Sequence, residues 1–383
     1  MALGGKMKFH ILVLILGSLL ILSCGSTEKY PTNSSSLQPT GHSPHFRISM
    51  APENWESYNQ RSIASGDPRQ DCQEQLRKAI CLTTADENDI TGAVGWNKVH
   101  CDPKSDQFLP QLMEYYDELP NQIRPTFCTL KKIFISDGID GLEFTGGIVN
   151  ADGTKPVGAY IGIQKANMSI NVSTGQIVTW KEQRGVFGQG GGFLKSSAAY
   201  PQVSYNLKMS VLKEDGFYYV ITHELGHVID FYNCINSTMW VDGQKPCKAS
   251  QAGWAGMSWG PHGSLDSGTP LKEAAFYRQK DLCWEGACDP NHLPKLSEAL
   301  TFYQSIQKSA FITAYSGFDE SEDFAESWAW YLALHFKSPN YKVVIPGHAT
   351  LDMNGMFTSS PLLVEKQKFI DDLWHNPKFK LTP

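Results

Sequence analysis

Between Phe217 and Asn233 the apolar residues Val220, Ile221, Leu225, Val228, Ile229 and Tyr232 recur at the spacing of one face of an α-helix. Inside that run stands His223-Glu224-Leu225-Gly226-His227. Residues four apart on a helix lie on the same side, about 6 Å from one another at the backbone, so both imidazoles can reach a single metal ion. This constrains the fold more than any other feature. A catalytic metal needs three protein ligands and one open position, so the chain must bury this helix and still bring a second element to its histidine face. Glu224 sits one step round the helix, where it can take a proton from a water on the metal without ligating it. Two histidines satisfied inside a core have the same spacing, so the residues that accompany them decide.

Downstream, a second helix is expected from about Glu320 to Phe336. It begins with Ser321-Glu322-Asp323-Phe324-Ala325-Glu326-Ser327-Trp328, in which Glu322 and Glu326 share a face. Tyr315 precedes Glu322 by seven positions. The extended zinc motif with a third His six residues after the second does not fit, because Asn233 occupies that place and Asp230 stands where its Gly belongs. His262 is a rival third ligand, but its Gly-rich loop is a loose platform for one. Trp254 and Trp259 are placed either to line substrate subsites or to pack in the interior.

In the His-Glu-x-x-His motif, the later Glu322 to Glu326 block and Tyr315, the chain resembles the gluzincin metallopeptidases. It is most similar to the branch typified by the anthrax lethal factor catalytic domain and the secreted Pro-Pro endopeptidases. The resemblance covers Phe217 to Tyr331 in two blocks. It implies His223, His227 and Glu322 as ligands of one Zn2+ per chain, with Glu224 as general base. It implies Tyr315 as hydrogen-bond donor to the oxyanion. Glu326 is either an exposed helix carboxylate or, as expected here, a group that hydrogen-bonds a ligand histidine from behind.

The N-terminus speaks for export. Lys6 and Lys8 precede an apolar run from Phe9 to Leu22 that is shorter than the roughly 20 residues of a membrane span and suits a signal-peptide core. Ile21, Ser23 and Cys24 match a bacterial lipobox, which makes Cys24 the expected lipidation site and the protein a lipoprotein of the cell envelope, on the outer membrane, its periplasmic face or the cell surface. Eight further cysteines, an even number, suit disulfides in an oxidising compartment. By closeness in sequence Cys234–Cys247 and Cys283–Cys288 are expected pairs. The formal charge of −6, with no run of Lys and Arg, argues against nucleic acid as a partner.

Residues 1–23 read as the signal peptide and 24–65 as the lipidated cysteine followed by a flexible tether rich in Ser, Thr, Pro and Gly. Residues 66–128 read as a cysteine-rich helical accessory region, and 129–383 as a zinc metallopeptidase domain. Between Lys131 and Glu182, four β-prone runs separated by Gly and Asp suggest a small sheet, antiparallel or mixed: Lys132–Ser136, Leu142–Phe144, Val157–Ile163 and Gln176–Trp180. Gly185 to Phe193 lacks the Lys-Ser/Thr of a phosphate loop.

The fold expected is α+β and zincin-like, with a small twisted sheet over an active-site helix and a helical C-terminal lobe. A protein or peptide substrate is expected in the cleft, its backbone pairing with an edge strand such as Val157–Ile163. Two other readings compete: a surface lipoprotein that acts as a binding module around a structural or inactive zinc, and a zinc-dependent cell-wall amidase.

Overall fold

The structure is a computed structural model that describes residues 46–50, 66–91, 99–139, 143–150, 155–168, 172–188, 202–206, 216–236, 253–260, 270–282, 291–337, 339–376, 378–380 and 382. It is a mixed α+β arrangement built on a five-stranded sheet. The strands are β1 (Phe46–Met50), β2 (Ile80–Asp86), β3 (Lys132–Gly138), β4 (Glu143–Val149) and β5 (Pro156–Gln164), in the order β1-β4-β5-β3-β2. β4 and β5 run antiparallel, and the other neighbours are parallel. A second, three-stranded antiparallel sheet joins β6 (Gln202–Asn206), β7 (Asn340–Ile345) and β8 (Ala349–Asp352).

The helices that matter here are α1 (Pro68–Ala79), α2 (Leu109–Glu118), α3 (Thr174–Gly185), α4 (Gly216–Asn233), α5 (Ala299–Ile306), α6 (Glu320–Phe336) and α7 (Pro361–Trp374). Alternation along the strands divides the first sheet between two interiors. Ile133, Ile135, Ile161 and Ile163 join the main core, whereas Phe134, Phe144, Ile148 and Tyr160 form a smaller cluster with Cys81 on the opposite face. Leu76 of α1 and Leu112 of α2 belong to that same main core, together with Leu225 and Val228 of the site helix.

Helix α4 has the bounds its periodicity predicts, but it is not amphipathic. Every residue from Gly216 to Tyr232 is buried, as expected of a helix covered on all sides. The sheet covers one side, where Phe231 lies so close to β4 that a Cβ on Gly147 would come within 2.5 Å of its ring. Helix α6 covers another. A Cβ on Gly226, inside the His-Glu-x-x-His motif, would lie 2.8 Å from the Ala325 Cα, so this glycine lets the two site helices meet backbone to backbone.

Several expectations are corrected. Gln176–Trp180 is not a strand but part of α3. Its helix starts at a capping box in which the Ser173 hydroxyl accepts from the Gln176 N–H and the Gln176 side chain accepts from the Ser173 N–H. Ile177 and Val178 are buried in the main core with Trp180 half-buried against it, and a short apolar run alone does not separate helix from strand. Val157–Ile163 is not an edge, because β5 lies between β4 and β3 and both of its ladders are filled. Ile80–Asp86, expected within a helical stretch, is a strand that follows α1 directly. Phe46–Met50, expected within a flexible tether, is a strand paired with β4; its Phe-Arg-Ile-Ser-Met alternation carries the strand period.

Two disulfides lie in the cysteine-rich stretch, Cys72–Cys128 and Cys81–Cys101. They suit an oxidising environment. Cys234 is disulfide-bonded as well; its partner, and Cys247, Cys283 and Cys288, lie outside the described residues, as do Cys24 and the leader. No helix among the described residues is long and apolar enough to cross a membrane.

Candidate metal centre

Helices α4 and α6 bring His223, His227 and Glu322 together, and each is almost wholly buried. One ligand atom from each lies within 4.8 Å of the other two. His223 Nε2 is 3.1 Å and His227 Nε2 3.6 Å from the same Glu322 oxygen, Oε2. Tetrahedral ligands about 2.1 Å from an ion are roughly 3.4 Å from one another. Two imidazole nitrogens and a carboxylate oxygen converging at those separations could hold a metal ion. His262 lies outside the described residues.

Polar groups stand behind both rings, a hydrogen bond behind His227 and a carboxylate facing His223, an arrangement that favours Nε2 pointing inward. His223 Nδ1 lies 3.2 Å from Glu326 Oε1. His227 Nδ1 lies 2.9 Å from the Ser321 hydroxyl. Glu326 is itself held by the Tyr219 hydroxyl, and by the Thr313 hydroxyl at 3.1 Å. The start of α6 is fixed by Asp319, whose carboxylate accepts from the N–H groups of Ser321 and Glu322 at 2.9 and 2.8 Å. Glu322 therefore sits in the first turn, where the helix dipole favours a negative charge.

Glu224 stands beside the three ligand atoms. Its Oε1 is 4.0 Å from His223 Nε2, and its Oε2 accepts a hydrogen bond from the hydroxyl of Thr145 on β4. Tyr315, 4% exposed, opens the turn Tyr315–Gly317 ahead of α6, with its ring centroid 6.0 Å from that of His223. Burial, together with the charges of Glu322, Glu224 and Glu326, pushes its phenol well up, so the hydroxyl keeps its proton.

Opposing charges set the state of the rest. Burial pushes the Glu322 carboxyl up, but the charge of His227 and the hydrogen bonds of both imidazoles outweigh it and hold the group well below the usual range. Glu326, raised by burial and lowered more by Lys181 and His223, comes to about 2. Burial and Lys181 lower His223, yet its bonds to Glu322 and Glu326 carry it up to about 9. Glu143, on β4, is pushed up to about 8 by burial and by the charge of Glu224.

Thr145, Ser321, Lys181 and Glu143 were not singled out from the sequence. Ser321 next to Glu322 carried a local signal, being one residue from a proposed ligand; the other three come from a strand and a helix distant in the chain. Trp254 and Trp259 are buried packing residues. Trp254 meets Phe324 and Phe369, and Trp259 donates from Nε1 to Asp323 at 3.0 Å.

Compared with protein-family models, with curated proteins and with solved structures, the chain matches none. What the centre does must follow from its own atoms.

Proposed function

We propose that the protein is an exported zinc metallopeptidase of the gluzincin type with a zincin-like fold. The observation that carries this reading is the convergence of His223 Nε2, His227 Nε2 and a Glu322 oxygen, with the Glu224 carboxylate 4.0 Å from the first of them. Two imidazoles and one carboxylate suit zinc. When bound, zinc would supply a Lewis acid that lowers the pKa of a water to about 7.

The protein groups then divide the work. Glu326 and Ser321 hold the two rings so that each turns Nε2 inward. Glu224 takes the proton of the attacking water and delivers it to the departing amine. Thr145 fixes one oxygen of that carboxylate. Tyr315, kept protonated, donates to the oxygen on which negative charge develops. Water adds across the peptide bond, giving a carboxylate and an amine. A structural or inactive metal site has no use for Glu224 and Tyr315, which favours hydrolysis over the binding-module reading.

The test is incubation of the purified protein with casein, a peptide library and a cell-wall digest, with and without chelator, alongside elemental analysis. Peptide cleavage that stops with chelator, returns with zinc and is lost in a metal-retaining Glu224→Gln variant supports the reading. Iron as the resident metal, or cleavage of the cell-wall digest alone, would overturn it.

A further inference from the structure

Helix α3 contributes two charged side chains that the chemistry above does not use. Lys181 is 6% exposed and Glu182 is 1% exposed. Charged groups are rarely buried this deeply unless they are paired, so the partners indicate the role. Glu182 turns both oxygens toward the segment ahead of α6. Its Oε1 accepts from the backbone N–H of Ala314 at 2.8 Å, and its Oε2 accepts from the Tyr303 hydroxyl, on α5, at 3.0 Å. The backbone N–H of Tyr315 is directed at the same carboxylate. Lys181 reaches Tyr315 from the other end: its Nζ lies 4.3 Å from the centre of the ring and 3.5 Å from Glu326 Oε1. Glu326 is the carboxylate that faces His223 Nδ1.

We propose that Lys181 and Glu182 are positioning residues, Glu182 anchoring the backbone of the turn that carries Tyr315 and Lys181 holding the Tyr315 ring and the Glu326 carboxylate. The proposal rests on the metallopeptidase reading. A donor to a developing oxyanion accelerates reaction only if it is already in place when the charge forms, and a displacement of about 1 Å can cost 10²-fold. Tyr315 lies in a three-residue turn, Tyr315–Gly317, that precedes the first turn of α6. Bonds from consecutive amides to one buried carboxyl group hold that turn in place. The cation over the ring face restrains the side chain.

The test uses the full chain with Glu182→Ala, Glu182→Gln and Lys181→Met, each also made on a Tyr315→Phe background. The first readout is hydrogen exchange of backbone amides in residues 311–318, with and without zinc. In Glu182→Ala, exchange there should rise about tenfold or more while the later turns of α6 stay protected, and Glu182→Gln, which keeps an acceptor oxygen, should restore most of the protection. The second readout is turnover. Glu182→Ala and Lys181→Met should each lower kcat about 10- to 100-fold with KM and zinc content nearly unchanged. On the Tyr315→Phe background Glu182→Ala should cost less than about threefold, because the hydroxyl it positions has already been removed, whereas Lys181→Met should keep the part of its loss that runs through Glu326.

Unchanged exchange in 311–318 overturns the anchor. Equal losses of kcat in Glu182→Ala with and without the Tyr315 hydroxyl overturn its positioning role, and full activity in Lys181→Met overturns that of Lys181. If Glu182→Ala does not fold, Glu182→Gln and Lys181→Met carry both readouts. If the wild-type protein cleaves no peptide, the metallopeptidase reading fails, and the exchange measurement alone decides whether Glu182 anchors the turn.

Discussion

Replacing Thr145 by Val removes one hydroxyl from β4 and leaves the side chain's shape. Thr145 is fully buried, and its Oγ1 donates to Glu224 Oε2. The same oxygen lies 3.2 Å from the Glu224 carbonyl, but it has one proton to give, and the carboxylate is nearer. A hydrogen bond to a charged group contributes about 1.5–3 kcal/mol, and removing only the donor leaves the carboxylate oxygen without that partner. If the whole loss falls on the transition state, turnover drops about 10- to 150-fold. Thr145→Ser restores the donor and should recover most of the rate. Initial rates on a cleaved peptide, zinc content and the urea midpoint should be measured together. Full activity in Thr145→Val beside a dead Glu224→Gln would refute the claim that β4 positions the base. Loss of zinc along with activity would instead make Thr145 a support of the metal centre.

The centre itself should respond in grades. Glu322→Ala removes a ligand and should abolish tight zinc binding, whereas Glu326→Ala removes only the group behind His223 and should weaken binding or activity about 10- to 100-fold; equal effects in a metal titration would contradict the assignment. Tyr315→Phe should lower kcat about 10²- to 10³-fold at unchanged zinc content, and full activity would remove Tyr315 from the mechanism. Burial carries the Glu182 carboxyl up from 4.5 to about 7, against the opposing bonds from Tyr303 and Ala314. The folded state therefore holds this proton more tightly than the unfolded one, so its stabilising effect is complete below pH 4.5 and is lost as pH rises to 7, by about 3 kcal/mol. Glu182→Gln should not show that loss, and a stability difference from wild type that stays flat across this window, measured in urea, counts against the shift. Finally, Cys24→Ala should release the protein from membranes or leave its leader uncut; unchanged fractionation would show that Cys24 is not the anchor.

The parts of the site that lie within one helix were legible. His223 and His227, and Glu322 and Glu326, are pairs four residues apart, and helical spacing alone puts each pair on one face. The bounds of α4 and α6 followed from the same periodicity, and in α6 the Asp319 cap marks the start. The rest depends on which elements meet. Thr145, Lys181 and Glu182 reach the centre from β4 and α3 across 79 positions to Glu224 and 132 to Ala314, and no local pattern encodes such a distance. The disulfides of the cysteine-rich stretch are long-range in the same way: Cys72 and Cys128 are 56 residues apart, and Cys81 and Cys101 are 20 apart. Reading Gln176–Trp180 as a strand missed α3 and with it both of its buried charges, although Ser173 and Gln176 carried the capping signal.

Charge is what separates this centre from two histidines packed in a core. Glu143, Glu224, Glu322 and Glu326 are all at most 3% exposed, and among the described residues Lys181 is the ammonium that neighbours them. Burying unbalanced charge costs several kcal/mol per ion even after relaxation, and the first turn of α6 offsets only a fraction of that for Glu322. Glu143, pushed up to about 8, holds its proton at neutral pH and drops out of the balance. The remaining acids outnumber the one ammonium beside them, and a divalent cation would offset the excess of negative charge. The hydrogen bonds of Glu322 and Glu326 raise the His223 imidazole to about 9 against burial and Lys181, which marks the same demand for positive charge. A pair of core histidines would not need four acids from two helices and a strand. A cation held at His223, His227 and Glu322 gives those acids a reason to be buried together.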